Sequence, residues 1–336
     1  MRANPTQQDV ADRAGVSRAL VSLVMRGEPS VSPSRRSAVL EAVASLGYRP
    51  NAAAKHLAGR RTNLIGVVLP DLRNPFYADI IDGARPAATS LGQSALLATG
   101  SREVHLEQEA VETFLELRVD ALVLVSPLLD DAYLERVGSL VPTCLVGRTT
   151  GSGVLDSVNA DERVGGRLVT EHLLAAGYRC VVHLDVAAEL AESSSEDRKA
   201  GYREAMSDAG LGGVARSVRT GGGVGAVVDA ELRAAKPDLA FFAHNDLIAL
   251  EAVTAIRRAG AAVGRDVGVV GYDDTYLASL DEFSLTSVSQ SAGVLGRRAV
   301  ELLSSRIGGR REAVHAVIEP RLVVRASSAR DGKAPR

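Results

Sequence analysis

Arg18, Ala19, Ser22 and Arg26 fall on one side of a short helical stretch whose other side is apolar, with Leu20, Val21 and Val24. Small, hydroxylated and cationic side chains in that arrangement can meet base edges, and arginines can neutralise phosphate. The chemistry they offer is recognition of duplex DNA. Positioning them requires two helices across a tight turn, and the stretch Thr6–Met25 reads that way. Thr6 can cap the first helix, with Asp9 three residues on completing a capping box. Val10, Ala11 and Ala14 form its apolar face, Gly15 supplies the left-handed stop, Val16 fills the corner and Ser17 caps the second helix. A short helix with a polar, basic outer face, braced by another, fits the major groove. An ordinary helical hairpin would show the same apolar faces, so the segments beyond Met25 decide between the two.

Val31-Ser32-Pro33 opens a third helix, with a serine cap and proline in its first turn. Val39, Val43 and Leu46 line one face and Gly47 ends it. A further candidate helix starts at Asn51 and ends at Gly59; at about two turns it is too short to be stable alone and should order only when braced. Residues 1–61 hold ten Arg or Lys against four acids, a net +6, which leaves −8 for the rest of a chain of net charge −2. A small basic head on an acidic body points to a polyanion partner for the head alone.

The 336 residues allow two or three domains and a large core. No apolar run reaches membrane-spanning length and the N-terminus does not read as a secretory signal, so a cytoplasmic protein with no membrane partner is expected. Cys144 and Cys180 are expected as packing residues in a reducing compartment, since two cysteines make neither a disulfide framework nor a metal spacing. Beyond Arg60-Arg61-Thr62-Asn63, apolar runs alternate with helical patterns: Leu64–Leu69, Ser94–Ala98, Ala121–Val125, Thr143–Val146, Val181–Leu184, Val214–Val218, Leu239–Ala243 and Val267–Val270. Such runs predict an α/β body with parallel sheets covered on both faces, as two doubly wound lobes across a cleft.

Several spaced motifs occur in one order: Asp9-Val10-Ala11, Ala14-Gly15-Val16-Ser17, Val31-Ser32, Leu46-Gly47-Tyr48-Arg49-Pro50-Asn51, Asn74-Pro75-Phe76-Tyr77, Arg198-Lys199-Ala200-Gly201-Tyr202, Asn245-Asp246 and Val270-Gly271-Tyr272-Asp273-Asp274. Together they resemble the lactose/galactose repressor (LacI/GalR) family of transcriptional regulators. The resemblance implies a helix-turn-helix DNA-binding domain over 1–50, a hinge helix and linker over 51–61, and a two-lobed, periplasmic-binding-protein-like body over 62–336. The first lobe would take about 62–160 and 291–320 and the second about 161–290 and 321–328, with three passages of the chain between them. It further implies a homodimer on a near-palindromic operator, controlled by a small-molecule effector such as a sugar, with repression as the usual outcome. The DNA-contacting set would be Thr6, Ser17, Arg18, Ala19, Ser22, Leu23, Arg26, Asn51, Ala54 and Leu57, with Arg35 and Arg36 on phosphates. The hinge would fold against its twin in the minor groove, where Leu57 wedges between base steps.

In such sheets ligands lie beyond the carboxyl ends of the strands. There the resemblance implies an effector site made of Asn74, Phe76, Tyr77, Asp161, Arg198, Phe242, Asn245, Asp246 and Asp273. Acids, amides and aromatic faces in that mixture suit a polyhydroxylated ligand. Taken singly, each acid reads equally well as a helix cap or a surface charge.

Rival signals are weaker. Gly221-Gly222-Gly223-Val224-Gly225-Ala226 matches a dinucleotide fingerprint in form, but it lies in mid-lobe with no acid on a following strand tip and reads as a βα loop. His244 beside Asn245 and Asp246 suggests a general base, but no serine or cysteine has the local elbow of a nucleophile. Six scattered histidines show no zinc spacing, so neither metal, cofactor nor catalysis is expected. A sugar-binding module alone, or a sugar-metabolising enzyme, are the alternatives; the basic head argues against the first, and sugar turnover would reveal the second. Three features depart from the family pattern: Leu23 in place of a basic residue, Pro86 inside the first body helix, where it should kink or end it, and a polar loop at Ser193-Ser194-Ser195-Glu196-Asp197. The tail after Val324 carries no heptad, which favours a dimer over a coiled-coil tetramer.

Leu57→Ala is expected to weaken operator binding strongly without lowering the body's unfolding temperature. Unchanged affinity in a titration against operator duplex would mean that Leu57 does not act as a wedge.

Overall fold

The computed structural model describes residues 5–25, 27–49, 61–186 and 193–330. The chain divides into two compact units, Met1–Thr62 and Asn63–Arg336.

The first unit holds α1 (Gln7–Ala14), α2 (Arg18–Met25) and α3 (Pro33–Leu46). Thr6 and Asp9 form the reciprocal capping box, and Gly15, at φ 65°, ends α1 with its N–H on the Ala11 and Asp12 carbonyls. The Ser17 hydroxyl accepts from the Leu20 N–H at 3.2 Å, which caps α2. Ser32 stands at the N-cap of α3 but makes no capping bond; Pro33 at the first helical position starts this helix by its fixed φ instead. Val10, Ala11, Val21, Val24, Val31, Val39, Ala42 and Tyr48 close into one small core.

The second unit contains two six-stranded sheets. The first is ordered β11-β5-β4-β3-β1-β2, from β1 (Leu64–Leu69), β2 (Ser94–Thr99), β3 (Ala121–Val125), β4 (Thr143–Val146), β5 (Asp156–Ala160) and β11 (His315–Ile318), and all its pairs are parallel. The second is ordered β12-β10-β9-β8-β6-β7, from β6 (Cys180–Asp185), β7 (Arg216–Arg219), β8 (Leu239–Ala243), β9 (Gly268–Asp273), β10 (Thr286–Ser289) and β12 (Arg321–Val323). Only β12 runs antiparallel in it. The chain passes between the sheets three times: after β5, after β10, and from β11 to β12.

Helices cover both sheets. Around the first lie α4 (Pro75–Ser90), α5 (Val104–Glu116), α6 (Asp131–Leu140) and α11 (Ala292–Ile307). Around the second lie α7 (Glu162–Ala175), α8 (Ser193–Asp208), α9 (Val224–Arg233) and α10 (Asp246–Arg258). No helix among the described residues is long and apolar enough to cross a membrane.

Several elements differ from the sequence-based expectation. Pro86 does not end its helix: α4 continues to Ser90, with Pro86 exposed, because the opposite face is held tightly on α11. The two helix backbones touch through glycine, and a Cβ at Gly296 would lie 1.9 Å from the Ile80 carbonyl oxygen. Ser193-Ser194-Ser195-Glu196-Asp197 are the first turn of α8, not a loop; serine and acidic residues suit a helix N-terminus. The glycine run is a βα loop, as expected, and ends in Gly223, at φ 98°, immediately before α9. Val214 belongs to a 3₁₀ turn and β7 begins at Arg216. Strands β5 and β10 escaped the hydrophobic pattern because their sequences, Asp-Ser-Val-Asn-Ala and Thr-Ser-Val-Ser, are polar although wholly buried. Asp156 explains the first: Arg306 reaches its carboxylate at 3.1 Å, Arg310 at 2.7 Å, and the Val314 N–H donates to it at 2.8 Å.

Gly296→Ala should force α4 and α11 apart at a packed backbone contact and destabilise the body by about 1–3 kcal/mol. The check is the midpoint of thermal unfolding, which should fall by several degrees; an unchanged midpoint would mean the helices part at no cost.

Candidate functional site

Between the two sheets a polar cleft forms from residues that follow strand carboxyl ends. Asn74 stands just before α4, where its side-chain oxygen accepts from the Phe76 N–H at 3.1 Å. That capping bond leaves its amide nitrogen to donate across the cleft to Asp273 Oδ2 at 2.8 Å. Gln290, the first residue past β10, donates to the other oxygen of Asp273 at 2.7 Å. Asp273 ends β9 at φ 105°, a conformation side chains other than glycine rarely hold. Burial pushes its carboxyl up to about 7, against the opposing pull of Arg198 and the Asn74 hydrogen bond.

Arg198 is placed by α7 and α8, which meet through glycines: a Cβ at Gly166 would lie 2.2 Å from the Arg198 carbonyl oxygen. Its guanidinium is buried and forks onto Glu162 at 2.7 and 3.3 Å, donates to the His244 carbonyl at 2.6 Å and stacks 3.8 Å from the Tyr272 ring centroid. Burial acts against its charge, yet the Glu162 carboxylate outweighs that and raises its pKa further. His244 sits beside it; burial and the Arg198 charge hold its pKa well below the ordinary histidine value.

The cavity is lined by Asn74, Phe76, Tyr77, Arg198, Asn245 and Asp273, and also by Arg102, Ser126, Val186, Ser194 and His244. Arg102 bonds Asp71 at 2.6 Å and the Tyr77 hydroxyl at 3.0 Å. Burial raises Asp71, but Arg102 and backbone donors more than offset it and hold its pKa down. Ser126 and Arg102 are at φ 44° and 58° on turns that follow β3 and β2. The rule that favours strand carboxyl ends applies to these two strands as well and would have found both residues. Val186 and Ser194 are set by buried Asp185, which accepts from the Val186 N–H at 2.9 Å and the Ser195 hydroxyl at 2.7 Å and pairs with Lys199 at 3.1 Å. The cavity has a volume of about 40 Å³, enough for a few waters.

Asp161, Phe242 and Asp246 do not line the cavity. Asp161 caps α7 by accepting from the Val164 N–H at 3.0 Å. Phe242 points to a face of its sheet, where His183 lies 4.9 Å and Tyr272 6.4 Å from its ring; only residues beyond the end of β8 reach the cleft. Asp246 is buried and accepts from Thr275 N–H at 2.7 Å and from the Thr275 and Ser287 hydroxyls at 2.8 and 2.6 Å, with burial pushing it up to about 6. It ties α10 to the turn after β9. Among the described residues, no three His, Cys, Asp or Glu converge as a metal site would.

In the head, Arg18 and Ala19 are exposed on α2, and Ser22 is half-buried. Thr6 and Ser17 are exposed but serve as helix caps. Leu23 is half-buried and packs against the head core, which turns part of its side chain inward. Arg36 is half-buried and donates to the Glu28 carbonyl, whereas Arg35 is exposed. Arg26, Asn51, Ala54 and Leu57 lie outside the described residues.

Comparison with known proteins places this arrangement. Residues 6–51 match the family model of bacterial regulatory proteins of the lacI family, and residues 170–328 match that of the periplasmic binding protein-like domain. The HTH-type transcriptional regulator CelR of Thermobifida fusca is 36% identical over 97% of this chain and 99% of its own. Catabolite control protein A of Priestia megaterium is 31% identical over 90% and 92%. Among solved structures, the lac repressor dimer bound to operator and the anti-inducer ONPF superposes with a TM-score of 0.83 at 28% identity, over 97% of this chain and all of that one. A complex of the regulator CelR with cellobiose gives 0.70 at 33% identity, over 96% of this chain and 100% of that one.

Asp273→Asn should change how stability depends on pH. A carboxyl raised when folded stabilises the protein at low pH, and that stabilisation is lost as pH rises from the ordinary 3.8 through about 7. The wild type should therefore lose stability relative to the variant across this window in denaturant titrations. A pH-independent difference would show that Asp273 is not raised.

Proposed function

Since the chain belongs to the lacI family of bacterial transcriptional regulators, we propose that it binds a near-palindromic DNA operator as a homodimer and releases or grips it according to a small effector in the cleft. What carries the reading is the union in one chain of two parts: a capped helix pair with Arg18 and Ala19 exposed on α2, and a body whose lobes meet over a polar cavity bridged by Asn74 and Asp273. Arg18, Ala19 and Ser22 meet base edges, and Leu23 adds apolar contact, of the kind thymine methyl groups accept, through the part of it not packed on the core. Arg26 and Arg35 hold phosphates; Arg36 contributes less because it is engaged by Glu28. Asn51, Ala54 and Leu57 belong to the segment that folds against its twin in the minor groove.

The effector is a polyhydroxylated molecule, a sugar being the class that fits the amides, hydroxyls and aromatic edge of the cavity. The relative crystallised with cellobiose makes that disaccharide the first to try. Its entry breaks the Asn74–Asp273 bond, so effector and operator are coupled through the spacing of the two first lobes. Such coupling is typically about 1–3 kcal/mol and reciprocal. The protein acts in the cytoplasm, and we assign it no catalytic step.

Selection of bound sequences from a random duplex pool, followed by a screen of sugars for release, tests the whole reading. No preference for any duplex over bulk competitor, with or without sugars, would sink it; turnover of a sugar would sink the non-catalytic part. Arg18→Ala should relax preference at one base position by about 1–3 kcal/mol. A uniform loss across all operator variants would make Arg18 a phosphate contact instead.

A further inference from the structure

We propose that His244 helps to select the effector, through an Nδ1–H donor that an acceptor oxygen of a neutral, hydroxylated ligand satisfies once the lobes part. This rests on the reading of the cleft as an effector site. His244 follows β8 and lines the cavity with Arg198, Asn74 and Asp273. Its Nε2 lies 3.5 Å from Nη1 of Arg198. A guanidinium only donates, so the nitrogen facing it must offer a lone pair, and the single proton of a neutral imidazole then sits on Nδ1. Burial and the same guanidinium keep the ring neutral. Nδ1 is shielded from solvent and has no hydrogen-bond partner in the protein. The closed cleft does not reach this atom; a donor left so is costly, and an oxygen that a ligand brings to it when the lobes part removes the cost.

The charge balance of the cleft says which oxygen. Arg198 is forked onto Glu162, and Arg102 is paired with Asp71. Every arginine lining the cavity thus has a carboxylate of its own. A phosphate or carboxylate would shed its water here without an unopposed cation to receive it, which burial penalises heavily. A hydroxyl, ring or glycosidic oxygen carries no such penalty.

Full-length wild type, His244→Ala, His244→Asn and His244→Gln would be titrated calorimetrically with cellobiose, D-glucose, D-galactose and D-ribose. Glucose 6-phosphate and glucuronate serve as charged counterparts. An asparagine amide can place an N–H where Nδ1–H stood, whereas glutamine reaches the Nε2 position. At least one neutral sugar should bind the wild type; alanine and glutamine should weaken it about tenfold or more, and asparagine should keep most of the affinity. Wild-type affinity in the alanine variant, or rescue by glutamine as good as by asparagine, overturns the role of His244 while leaving the effector site in place. Tighter binding of a charged sugar overturns the neutrality. Silence of the wild type toward every neutral sugar overturns this proposal and the sugar reading together. Independently of any ligand, long-range ¹H–¹⁵N spectra should show the His244 proton on Nδ1; a proton on Nε2 overturns the assignment.

Discussion

Taking the Asp273 carboxyl out of water costs free energy, and the protein offsets that cost with two amide donors from different parts of the chain. Asn74 belongs to the first lobe; Gln290 lies on the passage that leads back to it. The positive φ of Asp273 adds local strain at the same residue. Strain, burial and a bridge across the cleft thus coincide at one side chain. A contact of this kind holds the lobes together only while nothing better is offered to the same groups, as a ligand-responsive closure requires.

Behind this bridge the second lobe is built to stay rigid. Glycines in α7 and α8 bring two helix backbones into contact, and that approach delivers Arg198 to Glu162, to the His244 carbonyl and to the face of Tyr272. A buried ion pair is weak evidence for stability, because desolvation takes back much of the attraction. Its value here is directional: a planar cation held on three sides fixes the polar residues around it. The second-lobe side of the cleft around Arg198 is thereby preorganised.

Much of this was legible in the residues. Caps and stops wrote the head plainly, in Thr6, Asp9, Gly15 and Gly47, since each has one physical job. Apolar runs announced the central strands because both faces of these sheets are covered. The short polar strands were hidden, since Asp156 or Thr286 in a strand makes sense only once distant arginines or serines are known to meet it. The cleft was read unevenly for the same reason. Asn74, Arg198 and Asp273 stand in recognisable motifs, while Arg102 and Ser126 are single residues on turns. Phe242 and Asp246 adjoin the cleft in sequence but turn into the core, and a strand's alternation alone does not say which side faces a ligand.

The passages between the sheets carry a mechanical meaning. All three leave from neighbouring strands, β5 and β11 on one side and β10 and β12 on the other. Three short connectors along one border act as a flexural bearing: they bend together about a common axis but resist torsion and sliding. Such a border favours opening as one angle over a range of poses.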